Sequence, residues 1–123
     1  SVKVASSLKN APKAGAVADA PKRIVIGENM DWVNVLAKRI GAEIFTGRGM
    51  EENRAWIRAK VKAGYEVHDI GPDFARRLER LSKGREPDSP FYNMERMETK
   101  GHPGYQKLFD RTGKYAGGAP GVD

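Results

Sequence analysis

Apolar residues in this chain fall into short blocks punctuated by glycine, and the blocks alternate between two periods. "RIVIG" (23–27) is a β-branched run that reads as a buried strand. In "NMDWVNVLAKRIG" (29–41), Val33, Leu36, Ala37 and Ile40 recur at the spacing of one helical face, and Gly41 supplies the stop. "AEIFTG" (42–47) reads as a second strand. "MEENRAWIRAKVKAG" (50–64) reads as a second helix, with Met50, Ile57 and Val61 on one side, Trp56 widening the stripe and Gly64 ending it. "YEVHDIG" (65–71) is a third strand. The succession β-α-β-α-β predicts an α/β fold, a small three-stranded parallel sheet joined by right-handed crossovers and followed by helices.

The helices after that sheet carry start and stop signals of their own. Asp73 is placed to cap "FARRLERLSKG", whose Phe74, Leu78 and Leu81 share a face. Ser89 caps "SPFYNMERMETKG", with Pro90 at the first helical position, where its missing N–H is no loss. "GYQKLFDRTG" gives a last short helix carrying Tyr105, Leu108 and Phe109. Gly41, Gly64, Gly84, Gly101 and Gly113 follow the five predicted helices, as residues that take a left-handed turn without strain.

Two segments stand apart from this rhythm. Residues 1–21, rich in Ala, Ser, Lys and Pro and free of aromatics, read as a flexible linker or arm; a helical arm docked on the body is the alternative. The start at Ser1 suggests a fragment of something longer, and no continuous apolar segment follows to make a secretory signal. The tail "KYAGGAPGVD" is expected to be mobile. That leaves residues 22–123 as a single domain, within the range one compact core can serve.

Composition narrows the chemistry. There is no cysteine, so disulfides, thiolate metal sites and the zinc-deaminase signature are all excluded. No apolar stretch approaches the ~20 residues that span a bilayer. A net charge of +6 favours a polyanionic partner such as nucleic acid, although many basic domains are merely soluble.

Parallel α/β sheets gather ligands at the carboxyl ends of their strands. Here the first strand runs directly into Gly27, Glu28, Asn29 and Asp31, the second into Thr46, Gly47, Arg48 and Gly49, and the third into His68, Asp69, Gly71 and Asp73. Asn29 and Asp31 have an ordinary explanation as helix caps. Glu28 precedes the cap at the mouth of the sheet, where a structural and a functional role stand level. The glycines flanking Arg48 could seat a phosphate or simply make a flexible connection; neither phosphate-binding glycine spacing is present.

His68 and Asp69 are neighbours in a strand, so they face opposite sides and cannot pair. His68 and His102 lack zinc-ligand spacing, and Glu28, Asp69 and Glu95 would have to converge to hold a metal. On the second helix, Arg54 stands about a third of a turn from Asn53 and Ile57, and Trp56 is either core or a stacking surface. In "SPFYNMER", Tyr92 and Arg96 share a face, and Glu95 with Arg96 could be no more than a solvated pair.

The blocks "RIVIGENM", "NRAWI", "GYEVHDIGPD" and "SPFYNMER", in that order over residues 23 to about 105, resemble the C-terminal toxin domains of bacterial polymorphic toxins of the Rhs-repeat and contact-dependent inhibition type. The resemblance implies a domain delivered from a producer cell into the cytoplasm of a competitor and neutralised at home by a cognate, often acidic, immunity protein. Within that class the first expectation is a metal-independent ribonuclease, with tRNA as one candidate substrate, needing no cofactor. Glu28, Asp69 or His68 would move protons, Arg48, Arg54 or Arg96 would meet phosphate charge, and RNA would be the partner. A second expectation is an NAD or nucleotide glycohydrolase, in which Glu28 or Glu95 stabilises an electron-poor sugar carbon while Tyr92 or Trp56 stacks on the base. Asn29 joins either substrate-binding set. A third is a non-enzymatic module that binds nucleic acid or protein by charge alone.

Overall fold

The computed structural model describes residues 21–113; the predicted arm and tail lie outside them, apart from Pro21. The elements run β1 (Arg23–Ile26), α1 (Met30–Ile40), α2 (Met50–Lys62), β2 (Glu66–Asp69), α3 (Phe74–Ser82), α4 (Pro90–Thr99) and β3 (Tyr105–Lys107). The sheet is three-stranded and wholly parallel in the order β1-β2-β3, as the block pattern predicts. Ile26 is level with Asp69, and Asp69 with Lys107, so the carboxyl ends of all three strands lie along one edge.

Two elements differ from the sequence expectation. "AEIFTG" meets β1 in a single parallel bridge, Ile24 with Glu43, through Val25 N–H to Glu43 O (3.1 Å) and Glu43 N–H to Arg23 O (2.9 Å). It then turns away, and Phe45 packs against Trp56 with ring centroids 5.7 Å apart. The predicted last helix is instead β3. Val67 N–H donates to Gly104 O and Leu108 N–H to Asp69 O, both at 2.9 Å, closing the open side of β2. An unpaired strand edge there leaves backbone groups unsatisfied, and a three-residue strand meets that need better than a short helix would.

Alternation along β1 sends its side chains to two cores. Val25 joins Val33, Leu36 and Ala37 of α1 and Ile70, while Ile24 and Ile26 join Val67 on the opposite face, under Trp56 and Val61 of α2. α4 then packs on α2. α3 differs: Phe74, Leu78 and Leu81, its shared apolar face, are exposed, and the helix buries no residue. No helix among the described residues is long and apolar enough to cross a membrane.

Candidate functional site

Gly27 ends β1 because nothing larger fits: a Cβ there would collide with Ile70 Cγ2 and Val33 Cγ2. The chain therefore passes tightly over the edge of the sheet and turns into α1. Asn29 caps α1 by accepting from Asp31 N–H (2.9 Å) and Trp32 N–H (3.3 Å), and its amide donates to Asp73 Oδ2 (2.8 Å). Asp73 in turn caps α3 by accepting from Arg76 N–H at 3.0 Å. Asn29 is thus a cap that ties two helices together.

Glu28 has a side chain fully closed to solvent and four donors on its two oxygens. Oε1 accepts from Asp73 N–H and Arg77 Nε, both at 2.8 Å; Oε2 accepts from Ser89 N–H (3.0 Å) and Arg77 Nη2 (3.1 Å). Burial alone would raise its pKa, but the Arg77 guanidinium and the two backbone donors outweigh that and hold it below the usual carboxylate range. Glu28 is therefore a buried anion with its lone pairs committed, joining the starts of α3 and α4.

Asp69 is fully buried at the end of β2. Tyr92 Oη donates to Oδ1 at 2.8 Å, Tyr105 Oη to Oδ2 at 2.5 Å, and Gly71 N–H to Oδ1 at 2.9 Å. Arg96 Nε lies 3.6 Å from Oδ2, its guanidinium over the Tyr92 and Phe109 rings. Burial raises the Asp69 pKa against all four of these partners and, with the Asp69 charge, raises those of Tyr92 and Tyr105. Arg96 is thus the partner of Asp69 rather than of Glu95.

Beside that network, at the carboxyl end of β1, a cleft of about 370 Å³ opens between α2 and α4. Trp56, Phe45, Phe91 and Tyr92 supply aromatic wall, Gly27, Gly47 and Gly49 supply bare backbone, and Asn53 and Glu95 add polar groups; Glu28, its oxygens already engaged, also lines the cleft. No arginine or lysine lines it. Asn53 and Glu95 are buried, and Asn53 Nδ2 donates to Glu95 Oε2 at 3.0 Å. Asn53 Oδ1 and Glu95 Oε1 are closed to solvent and have no hydrogen-bond partner. Burial, followed by the Asp69 charge, pushes the Glu95 pKa up to about 7, against the lowering effect of Asn53 and of the Gly27 backbone.

The remaining candidates stand apart. Arg48 is exposed, on the loop whose flanking glycines line the cleft. Arg54 is paired with Glu51 and lies 3.7 Å from Glu98. His68 meets Glu66 Oε1 at 3.1 Å on the other side of its strand from Asp69. Among the described residues no group of three or more His, Asp or Glu is arranged to hold a metal ion, so Glu28, Asp69 and Glu95 do not converge as a ligand set.

Of the sequence candidates, Glu28, Trp56, Tyr92 and Glu95 come together around one cleft, with Asp69 immediately behind Tyr92. Asn53, Phe45 and Phe91 line the same cleft and are not among the residues the sequence singles out. Asn53 carried a signal: an amide on the same side of its helix as the core residue Ile57 has to meet a buried partner. Protein-family models, curated proteins and solved structures give no match to this chain.

Proposed function

We propose that the chain is a hydrolase that cleaves the N-glycosidic bond of a nucleoside or nucleotide in the cleft between α2 and α4. The observation that carries the reading is Glu95, a buried carboxyl with one unpaired oxygen on the wall of an aromatic cleft that holds no cation. Breaking a sugar–base bond leaves positive charge on the sugar carbon and negative charge on the base, and a positioned carboxyl meets either demand. Trp56, Phe45 and Phe91 offer flat apolar surface to a nucleobase. RNA cleavage needs a cation beside the phosphate, and none of the arginines expected to provide one lines this cleft: Arg48 points from its exposed loop, and Arg54 and Arg96 are engaged with carboxylates.

The toxin resemblance fits the same reading: depleting nucleotides harms a competitor, and an acidic immunity protein would suit a surface with this net charge. The test is to express the domain in bacteria without a protecting partner and to follow free nucleobase, NAD and RNA together. Base release with RNA intact, lost in Glu95→Gln, is the expected result. RNA fragmentation with nucleotide pools unchanged returns the ribonuclease reading to first place.

A further inference from the structure

We infer that Glu95 at rest carries a proton on Oε1 shared with Asn53 Oδ1, and, resting on the glycosidic reading above, that this proton is delivered to a neutral nucleobase as it leaves the sugar. The basis is a hydrogen-bond account of the two side chains. Asn53 Nδ2 donates to Glu95 Oε2 at 3.0 Å, which brings the amide and the carboxyl together. Their other two oxygens are both acceptors, both closed to solvent and both without a partner. A buried acceptor left unsatisfied is costly, since it has given up water and gained nothing in return. One proton satisfies both, because a protonated carboxyl becomes a donor on one oxygen while its other still accepts. Amide and acid then form a ring closed by two hydrogen bonds.

The surroundings favour the neutral acid. Asp69 on β2 adds negative charge, and the arginines on the helices that meet here pair with other carboxylates: Arg96 with Asp69, Arg54 with Glu51 and Glu98, Arg77 with Glu28 and Asp88. Burial disfavours the charged form further, and the Glu95 pKa of about 7 follows. Asn53 is then a positioning residue, holding the acid until a better acceptor arrives; the terminal torsion of a glutamate turns easily enough to let go.

The consequence for the substrate is a class. When the C1′–N bond breaks, its electron pair goes to the base nitrogen, which takes the Glu95 proton. Water adds its oxygen to the electron-poor C1′ and returns one proton to the Glu95 carboxylate. One water is consumed and nothing is oxidised or reduced. A neutral purine or pyrimidine needs that proton in order to leave; a pyridinium such as nicotinamide in NAD already carries its positive charge and does not.

The proton is tested without substrate, by a carbon-13 carboxyl titration of the whole chain with glutamate labelled. The expected result is one glutamate titrating near 7, absent in Glu95→Gln, with the Asn53 side-chain amide shifting at the same midpoint. A Glu95 carboxyl already ionised at pH 5 would overturn the shared proton. The acid role is tested by comparing base release from adenosine monophosphate and from NAD. Adenine release that drops at least ~100-fold in Glu95→Gln and declines above the titration midpoint is expected. NAD cleaved faster than the purine nucleotide would overturn that role. No cleavage of either would overturn the acid role and the glycosidic reading together, while the shared proton would still be decided by the titration alone.

Discussion

Two buried carboxyls in the cleft wall, Glu28 and Glu95, differ because their neighbours differ. Glu28 has an arginine and two backbone donors and stays an anion; Glu95 has one amide and a nearby negative charge, and its pKa rises to about 7. The rise has a consequence for stability. A carboxyl whose pKa is higher in the folded than in the unfolded chain binds its proton more tightly when folded. Its contribution is complete below the unfolded value of 4.5 and is lost as pH climbs to about 7. The span corresponds to a loss of about 3 kcal/mol, at 1.36 kcal/mol per unit. Chemical denaturation across pH 4 to 9 is expected to show that decline in the native chain. Glu95→Gln, which keeps a donor where the proton sat, is expected to remove it. Identical pH profiles for the two proteins would mean that Glu95 is ionised throughout. Glu28 works in the opposite sense, its share being lost on acidification below 4.5, so the two carboxyls act in separate pH windows.

At the scale of elements, the cleft depends on how α3 and α4 are started. Glu28 accepts from the backbone of Asp73, the cap of α3, and of Ser89, the cap of α4, so one side chain fixes the entry of two helices. Glu28→Gln removes the charge opposite Arg77 and leaves that guanidinium with Asp88 at 3.6 Å. A loss of about 3 kcal/mol in unfolding free energy is expected, in the range for breaking a buried ion pair from one side. Urea titration would measure it; a loss within experimental error would mean that the backbone contacts alone hold the helix starts. This arrangement was half legible in the sequence. Asn29, Asp73 and Ser89 could be read as caps because capping is local chemistry over three or four residues. The partner of Glu28 could not, since Arg77 is 49 positions away. The same division explains the strands. "RIVIG" and "YEVHDIG" declare themselves by β-branched runs, whereas "GYQK" becomes a strand only because β2 offers an unpaired edge. "AEIFTG" has the composition of a strand, yet Phe45 is drawn off to Trp56 and the cleft wall.

For the whole molecule, the exposed positive charge and the proposed site occupy different places. A net charge of +6 favours a polyanionic partner, yet this cleft has no lysine or arginine in its lining. Basic groups are spread over the rest of the surface, among them Arg96 and Lys100 on α4 and just after it, and Arg76, Lys83 and Arg85, exposed along α3 and just beyond it beside the bare apolar residues Leu78 and Leu81. That surface can attract an acidic protein or a polyanion at a distance without taking part in bond cleavage, because field effects reach about a Debye length while proton transfer needs contact. The separation can be measured. In Lys83→Glu with Arg85→Glu, binding to a model polyanion such as heparin is expected to weaken at least about tenfold at low salt, with a salt dependence shallower by about two charges. Turnover of a small nucleotide in the same protein is expected to stay within twofold of the native chain, since neither side chain lines the cleft. If both fell together, the basic face would belong to the reacting site, and a polymeric substrate held along α3 would explain the charge better than an attracted partner does.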